Sequence, residues 1–554
     1  MKNTLKEFVC SALNEAKNQG HLVLDTAPDV VIEEPKDEKM GDFATTVAMT
    51  LARSEKKNPR QIAEYLTASL SSRPDLVEEV QIAGPGFINF RLSRDFLRGE
   101  FRSALEQGEH FGRCEVGRGT KVLVEFVSAN PTGPLHVGHG RGAAVGDSLA
   151  RLMQWAGYEV STEYYINDVG NQMNNLGRST QLRYREELGH GGAFPEDLYQ
   201  GDYIRDIARA IVEKDGDRHL GADDPDALGF FRTVSCDHIL NGIKEDLGRF
   251  RVEFDQWFSE QTLHDSGKVE AAIQWLRDKG FVYDKDGATW LKSSAFRDEK
   301  DRVVIKQGGE KTYFCADIAY HQEKIERGFN LILDIWGADH HGYVPRMEAV
   351  LEALGHGSDG FQVLLVQFVT LIRGGEKVQM STRSGKFITL ADVVEEVGVD
   401  ATRFFFLMRS SDSHLDFDLE LAKKETQENP VYYIQYAHAR ICSIFKTAES
   451  KGIAFPALEE VDLGLLDQPE DFSLMKKVLS FPEVVGKSAE NREVHRIPFY
   501  LQELVAQFHS YYSVHRVVSE DVPLTRARLL LLLSVRSVIA NGLQIMGVSA
   551  PEKM

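Results

Sequence analysis

Residues 125–139 read EFVSANPTGPLHVGH and carry most of the information about the fold. They overlap a short, nearly continuous apolar run, Val122–Phe126, which predicts a buried parallel strand. A loop rich in Pro and Gly follows it. A helix is predicted from about Val137, because one of its faces carries Val145, Leu149 and Leu152. Strand, turn and helix form half of a βαβ unit, so we predict an α/β fold built on a doubly wound parallel sheet.

The same stretch predicts a phosphate site. His136 and His139 flank Gly138 at the mouth of the predicted helix. A helix N-terminus offers free N–H groups and partial positive charge, and glycine lets a ligand approach the backbone closely. Imidazoles there can donate hydrogen bonds to phosphoryl oxygens as charge develops. From the residues alone, two incidental histidines or a metal-binding pair remain open.

Composition limits the class of protein. The 554 residues carry a net charge of -20, and 42% of them are hydrophobic. This length predicts about three to five domains, and the hydrophobic content excludes wholesale disorder. The acidity argues against a small basic DNA-binding module. It does not exclude a nucleic-acid partner, since basic surface can be confined to one groove.

The cysteine pattern and the termini favour a cytoplasmic protein without membrane segments. Five scattered cysteines include no CxxC pair, which indicates reduced thiols rather than disulfides or a zinc ribbon. The N-terminus has the pattern of an amphipathic helix and not of a signal peptide. The longest apolar run, Leu529–Leu533, is far too short to span a bilayer.

Further segments complete the organisation of the chain. Residues 1–112 predict an α+β module, with a Gly/Pro turn followed by a strand within Val80–Leu92. A charged, turn-rich stretch at about 180–300 indicates an insertion. Buried strands are predicted again at Leu331–Trp336 and Val363–Val366. From residue 413 onward the pattern is helical.

The run His136–His139 resembles the "HIGH" signature of class I aminoacyl-tRNA synthetases, and its continuation through Leu149 is similar to the arginyl members. The resemblance implies a Rossmann-type catalytic domain that adenylates an amino acid with ATP. It also implies that the two histidines contact ATP and stabilise the transition state.

A second segment, Gly375–Lys386, is similar to the mobile "KMSKS" loop of the same class. A loop with cations can close on pyrophosphate and then release it. Gln379 and Thr382 stand where the signature has lysines. The resemblance therefore implies Arg383 and Lys386 as catalytic cations, with Lys377 as a further candidate, and an ATP-binding role for Met380 and Ser381. From the residues alone, a basic surface loop is equally open.

A third segment, Lys311–His321, matches the amino-acid pocket of the arginyl family. Tyr313 and Asp317 lie four residues apart, on one face of a helix. The resemblance implies that they bind arginine together with Glu125 and Asn130. Carboxylates and a phenol oxygen suit the planar fork of a guanidinium. Taken singly, Tyr313 could be an ordinary core residue, Asp317 a surface acid and Asn130 a turn former.

The segment Trp336–Tyr343 follows a predicted strand, where doubly wound folds bind ligands. It resembles the family's second wall of the ATP and arginine site. Asp339 and His340 are therefore candidates for ATP binding, and His340 also for arginine binding. The adjacent histidines lack the carboxylate–histidine spacing of a metal site, so no tightly bound metal is expected.

Both ends of the chain resemble tRNA-binding parts of arginyl synthetases. Near the N-terminus, Phe87 could stack on an unpaired base and Asn89 could read its edge. Asn429–Arg440 resembles the start of the all-helical anticodon-binding domain, which makes Tyr432 and Tyr436 tRNA-binding candidates.

The resemblance implies four regions: an N-terminal tRNA-contacting domain at 1–112, a Rossmann catalytic domain at 113–375, a signature loop and connecting region at 376–412, and a helical anticodon-binding domain at 413–554. It implies ATP with Mg²⁺, L-arginine and tRNA(Arg) as substrates of a monomer. Two rivals remain: another class I synthetase, such as a lysyl or glutamyl enzyme, and a non-catalytic tRNA-binding relative.

Overall fold

The computed structural model describes residues 1–26, 28–35, 37–221, 225–357, 359–378 and 388–554. It begins with a four-stranded antiparallel sheet of order β1-β2-β4-β3, accompanied by four helices. The elements of this N-terminal unit are α1 Lys2–Asn18, β1 Ile32–Glu33, β2 Phe43–Thr45, α2 Val47–Glu55, α3 Pro59–Leu70, β3 Val77–Ala83, β4 Phe87–Leu92 and α4 Arg94–Gln107.

The hairpin between β3 and β4 depends on a glycine. Gly86 has φ +145°, and a Cβ placed there would lie 2.9 Å from Cβ of Pro59, the first residue of α3. No L side chain fits that conformation and that space. The turn therefore packs closely against the start of α3, and Phe87 follows it as the first residue of β4.

The central sheet has five parallel strands in the order β12-β11-β5-β6-β7. The chain leaves β5 through helix α5 and moves to β6 and β7, and the later strands β11 and β12 lie on the other side of β5. The switch point of the sheet is therefore the gap between β5 and β11. The elements are β5 Lys121–Glu125, α5 Val137–Trp155, β6 Glu159–Ile166, β7 Gln256–Ser259, β11 Leu331–Gly337 and β12 Phe361–Val366.

Two groups of elements fill the long connections of this sheet. Between β6 and β7 lie α6 Asn171–Glu187, α7 Asp202–Asp215 and α8 Pro225–Arg249. Between β7 and β11 lie α9 Glu260–Asp265, α10 Lys268–Asp278, a small antiparallel sheet of β8 Val282–Lys285, β9 Ala288–Leu291 and β10 Arg302–Ile305, and α11 Tyr313–Glu326. The stretch at 180–300 thus includes one strand of the central sheet, β7. Its apolar run is short because β7 lies at the edge.

A second small sheet, of order β14-β13-β15, connects the central sheet to the helical region. Strand β15 precedes the first helix of that region, so the helical pattern predicted from 413 starts at Leu419. The connecting elements are α12 Val344–Ala353, β13 Val369–Arg373, β14 Glu376–Lys377, α13 Leu390–Val397, α14 Val399–Leu407 and β15 Leu415–Asp418.

The C-terminal region is helical: α15 Leu419–Ala422, α16 Pro430–Ser450, α17 Pro469–Leu479, α18 Phe481–Asn491, α19 Arg496–Val514 and α20 Val522–Ile545. The predicted stripe on α20 is buried, since Leu531, Val535 and Val538 have no exposed surface. Helix α5 packs against α14, α18 and α20. Across the parts of the chain that the structure describes, no helix has the length and apolarity needed to cross a membrane.

Candidate active site

The N-terminus of α5 lies at the switch point and is capped by its own histidines. His136 is the N-cap, and its Nδ1 accepts hydrogen bonds from the backbone N–H groups of Gly138 (3.1 Å) and His139 (3.3 Å). Nδ1 of His139 accepts from the backbone N–H of His136 (3.3 Å), and the two rings stack with centroids 3.6 Å apart. A Cβ on Gly138 would lie 2.9 Å from Cε1 of His136. The site therefore needs glycine at 138.

This arrangement fixes the protonation of both rings. Because each Nδ1 accepts a hydrogen bond, each neutral imidazole carries its proton on Nε2. Burial lowers the pKa of His136, against the opposing charge of Asp339, and burial lowers the pKa of His139 to about 3. Both histidines are neutral at physiological pH and have Nε2–H groups to donate. Such donors suit phosphoryl oxygens on which negative charge grows.

Asp339 and His340 lie on the β11 side of the switch point, opposite the β5 side that leads to α5. They lie on a short 3₁₀ helix, Ala338–Tyr343, directly after β11, and both side chains are exposed. His340 Nε2 is 3.6 Å from Asp339 Oδ2. The electrostatic effect of Asp339 on His136 links the two sides of the switch point. The structure thus brings together the predicted ATP-binding residues that it describes.

A second group of polar side chains lies beside this edge. The Tyr343 hydroxyl donates to Asp317, which is half-buried, and Tyr165 is hydrogen-bonded to the buried Glu260. Burial raises the pKa of both carboxyl groups, and the negative charge of Asp317 raises that of Glu260 further. Two neighbouring carboxylates with phenolic partners form a site for a cation.

Glu125 and Asn130 lie at the end of β5. Glu125 accepts hydrogen bonds from Lys324 Nζ (2.5 Å) and Ser128 Oγ (2.8 Å), so both of its oxygens have partners. Asn130 is exposed and donates to Gln172 Oε1 (2.9 Å). Between them, Val127 and Ser128 have φ values of 68° and 40°. A β-branched residue in this region is strained, and such strain concentrates at functional sites.

Tyr313 begins α11, one turn before Asp317, and 59% of its surface is exposed. It lies close to Gly170, at the start of α6. Helix α11 thus carries Tyr313 and Asp317, it is linked to the 3₁₀ helix through Tyr343, and its Lys324 reaches Glu125 at the end of β5. Glu125 differs from the others, because the chain itself already supplies it with a cation.

Sequence reasoning missed Tyr165, Glu260, Lys324 and Tyr343 as site residues. Tyr343 is the last residue of Trp336–Tyr343, the segment predicted to form a wall of the ATP and arginine site. Glu260 follows β7 directly, where parallel strands place their ligand-binding residues, but that strand was concealed within the predicted insertion. Asp334 is an acid within the apolar run LILDIW, and a buried acid of this kind needs a cationic partner. That signal could have indicated Lys324, which pairs with Asp334 in the structure.

Most of the predicted cationic loop, Gly375–Lys386, falls in the part of the chain that is not described. Arg383, Lys386, Met380 and Ser381 lie outside the described residues. The chain next to them is joined to the histidine site: Val137 N–H donates to Ile388 O (3.3 Å) and Leu390 N–H donates to Leu135 O (2.8 Å). Residue 388 therefore lies directly beside the start of α5.

The N-terminal tRNA-binding candidates lie on β4. Phe87 is 38% exposed and Asn89 is 5% exposed. Because successive side chains of a strand alternate, both belong to the face opposite Ile88 and Phe90, which are fully buried. Phe87 is therefore the more accessible of the two candidates.

The C-terminal candidates lie in a groove of about 600 Å³ between α16 and α19, which we call the aromatic groove. Tyr432 and Tyr436 are half-buried with stacked rings, 6.3 Å between centroids, and His509 continues the row. Arg440 donates to the Tyr436 hydroxyl (2.5 Å) and lies over the ring of Tyr512. Aromatic faces beside a cation suit unpaired nucleic-acid bases.

Among the described residues, no group of three or more His, Cys, Asp or Glu side chains could hold a metal ion.

Comparison with known proteins identifies the class. Residues 100–411 match the family model described as "tRNA synthetases class I (R), catalytic domain". The chain has the doubly wound sheet of that class, with two histidines at its switch point. Its catalytic region is that of a class I aminoacyl-tRNA synthetase.

The flanking regions narrow this to one family. Residues 3–92 match "Arginyl tRNA synthetase N terminal domain" and residues 434–554 match "DALR anticodon binding domain". The chain belongs to the arginyl-tRNA synthetase family. An "Arginine--tRNA ligase" of Syntrophotalea carbinolica is 53% identical over 554 residues, covering 100% of both chains. One of Bacillus subtilis is 48% identical over 555 residues, covering 100% of this chain and 99% of its own.

Solved structures agree. A putative arginyl-tRNA synthetase from Campylobacter jejuni has a TM-score of 0.77 and 39% identity, covering 84% of this chain and 100% of its own. Thermus thermophilus arginyl-tRNA synthetase, at 22% identity, shares the fold over 100% of both chains with a TM-score of 0.77. The predicted fold class and family resemblance are confirmed.

Proposed function

We propose that the chain catalyses the two-step arginylation of tRNA(Arg), the activity named for its relatives. The carboxylate of arginine attacks the α-phosphate of ATP and pyrophosphate leaves. A terminal ribose hydroxyl of tRNA then attacks the acyl carbon of the adenylate. The observation that carries this proposal is the N-terminus of α5 at the switch point, where His136 and His139 cap the helix. The 3₁₀ helix that carries Asp339 also ends at Tyr343, which donates to Asp317 of the carboxylate pair.

Adenylation depends mainly on positioning and charge stabilisation. In this proposal Gly138 lets ATP approach the N-terminus of α5, and His136 and His139 donate Nε2–H to phosphoryl oxygens. Asp339 and His340 bind the nucleotide from the end of β11. Arg383 and Lys386 supply positive charge to pyrophosphate, and Met380 and Ser381 complete the ATP site.

Mg²⁺ enters with ATP in this proposal. A nucleotide-bound Mg²⁺ keeps several waters and needs only one or two carboxylates from a protein. Asp339 fits that requirement, since it is exposed and lies near His136. When bound, the ion would neutralise phosphate charge.

Arginine recognition uses the carboxylate pair. We assign the guanidinium to Asp317 and Glu260, with Tyr313 and Tyr343 as phenolic partners. Glu125, Asn130 and His340 complete the pocket around the rest of the amino acid. An uncharged analogue would leave carboxylates desolvated without a partner, which costs several kcal/mol. Lysine is cationic but cannot make the forked contacts.

The tRNA is proposed to contact both ends of the chain. Phe87 and Asn89 bind it from the N-terminal domain, residues 1–112. Tyr432 and Tyr436 bind it from the anticodon-binding domain, residues 413–554. The catalytic domain comprises 113–375, with 376–412 connecting it onward. The exposed ring of Phe87 and the aromatic groove support these assignments.

We further propose a cytoplasmic monomer. Five unpaired cysteines fit a reducing compartment. Light scattering of the purified chain with and without tRNA would measure its oligomeric state.

The deciding experiment is ATP–pyrophosphate exchange with each amino acid in turn, with and without tRNA(Arg). We expect exchange with arginine alone among the amino acids, and only when tRNA is bound. Exchange driven by lysine or glutamate would reassign the substrate. A chain that binds tRNA but exchanges no pyrophosphate would be a non-catalytic relative.

A further inference from the structure

A buried ammonium group lies beneath the proposed arginine pocket. Lys324, on α11, has no exposed surface, and its Nζ contacts Glu125 Oε2 at 2.5 Å and Asp334 Oδ1 at 2.9 Å. His321 Nε2 is 2.9 Å from the other Asp334 oxygen. One ammonium is therefore shared by two carboxylates, and each carboxylate has a second partner.

The two carboxylates need this cation. Asp334 of β11 and Glu125 of β5 are register partners in the central sheet, so their side chains leave neighbouring backbones side by side. Like charges directly opposite each other destabilise a sheet, and buried charges are tolerated only when paired. Burial lowers the pKa of Lys324, but Asp334 and Glu125 outweigh this and leave the pKa raised. Lys324 is therefore held as an ammonium ion.

The position of this group connects it to substrate binding. Lys324 follows Asp317 by two helical turns on α11, so the two residues share a face of the helix. Its partners lie on β5 and β11, the two strands that border the switch point. The ammonium thus ties α11, which carries Asp317, to both strands and fixes the Glu125 carboxylate at the end of β5.

We propose that Lys324 is a positioning residue for arginine recognition: it holds Glu125 and helix α11 in the geometry that places Asp317 on the guanidinium. This inference rests on the proposed function. Displacing a binding group by about 1 Å can cost about 10²-fold in rate. Loss of the ammonium should therefore act on arginine and leave ATP almost unaffected.

The test compares three variants in the full chain with tRNA(Arg) present: Lys324→Met, Lys324→Arg and the double variant Lys324→Met/Asp334→Asn. The double variant removes the cation together with one of the carboxylates that need it, so less buried charge is left unpaired. We expect Lys324→Met and the double variant to raise the arginine KM by about 10²-fold, with the ATP KM within about twofold of wild type. Lys324→Arg keeps the charge and should raise the arginine KM by only about tenfold.

Arg302→Met is the matched control. It also removes an ion pair with a buried carboxylate, that of Asp298, but at the start of β10, in the small antiparallel sheet. We expect a lower melting temperature and an unchanged arginine KM. A wild-type arginine KM in the double variant would overturn the proposal. If Lys324→Met or the double variant does not fold, Lys324→Arg decides, and a wild-type arginine KM in it would equally overturn the proposal.

The same assays separate this inference from the proposed function. If the wild-type chain shows no arginine-dependent exchange, the proposed function itself fails. If the wild type is active and the Lys324 variants match its arginine KM, only the positioning role fails.

Discussion

At the scale of single residues, Asp317 combines partial exposure with a raised pKa. Tyr343 donates one hydrogen bond to it, and Glu260 lies near it with the same charge. A guanidinium placed between the two carboxyl groups would relieve both their desolvation and their repulsion. The affinity for arginine should therefore depend on the charge of each carboxylate.

Asp317→Asn keeps the shape of the side chain and removes its charge. We expect the arginine KM to rise by about 10²-fold or more, since each 1.4 kcal/mol corresponds to about a factor of ten. The ATP KM should stay close to wild type. The matched control is Glu326→Gln, an exposed acid on the same helix. An unchanged arginine KM in Asp317→Asn would remove this residue from the pocket.

The raised pKa values predict the pH dependence of arginine binding. Arginine stays protonated throughout, so binding needs ionised Asp317 and Glu260. As the pH falls, these groups take up protons earlier than ordinary carboxyl groups, whose pKa values are about 4. The arginine KM should therefore begin to rise at a higher pH than the titration of ordinary carboxyl groups would give, while the ATP KM stays nearly constant. An arginine KM that stays flat until ordinary carboxyl groups titrate would contradict the carboxylate assignment.

At the scale of elements, the N-terminus of α5 is the central feature of the proposed active site. Its two histidines are neutral and hold their protons on Nε2 because both Nδ1 atoms accept backbone hydrogen bonds. The helix therefore presents fixed donors that need no change of protonation when charge develops.

His136→Ala and His139→Ala should each reduce adenylation by about 10²–10³-fold, as for the loss of one transition-state donor. Single-turnover formation of the adenylate measures this directly. Gln154→Ala, at an exposed position near the other end of α5, serves as the control and should be neutral. Near-normal adenylation by both histidine variants would exclude them from the mechanism.

The C-terminal end of α20 is joined to α5 through a buried arginine. Arg403 donates to Met546 O (2.7 Å) at that end and to Asp147 of α5. Gly547 follows with φ +65°, and a Cβ there would lie 2.5 Å from the Arg403 guanidinium. The junction between the helical region and α5 therefore depends on the absence of a side chain at 547.

Gly547→Ala should lower the melting temperature and weaken the contact between α20 and α5. Gly452→Ala is the matched control, since Gly452 has φ +75° but nothing within 4 Å of its Cβ position. It isolates backbone strain, about 1–2 kcal/mol, from the clash with Arg403. Differential scanning calorimetry compares the two variants. Equal melting temperatures would show that the clash has no effect.

At the scale of the whole molecule, a chain with net charge -20 has to bind a polyanion. Cations and aromatic faces must therefore be concentrated locally, as in the aromatic groove. Base stacking is worth about 1–3 kcal/mol per base.

Tyr436→Ala should weaken the binding of tRNA(Arg) by about tenfold or more. Phe455→Ala, an exposed aromatic residue outside the groove, is the control and should bind normally. Affinity of the wild-type chain should fall steeply with salt because phosphate contacts dominate. Filter binding at several salt concentrations measures both effects. Equal affinities of the two variants would place the tRNA elsewhere.

Resemblance to known signatures indicated the family, and the sequence alone determined the fold class and the position of the histidine pair at the start of α5. These follow from local signals: an apolar run, a Pro- and Gly-containing turn, and His136 and His139 three residues apart at a helix start. Such signals depend on residues that are neighbours in the chain. The strands predicted at Leu331–Trp336 and Val363–Val366 were recognisable for the same reason, because buried parallel strands are nearly continuous apolar runs. In the structure these two strands pair in parallel.

The tertiary structure alone decided which charges meet in the proposed arginine pocket. Glu260, Lys324 and Tyr343 come from three separate segments, and only folding brings them near Glu125 and Asp317. The resemblance implied Glu125 as an arginine-binding residue, yet its carboxylate already accepts from Lys324, on a helix that begins almost two hundred residues later in the chain. Contacts between distant segments depend on the order of the strands and the placement of the helices. The periodicity of one sequence does not specify which buried charged side chains will contact each other.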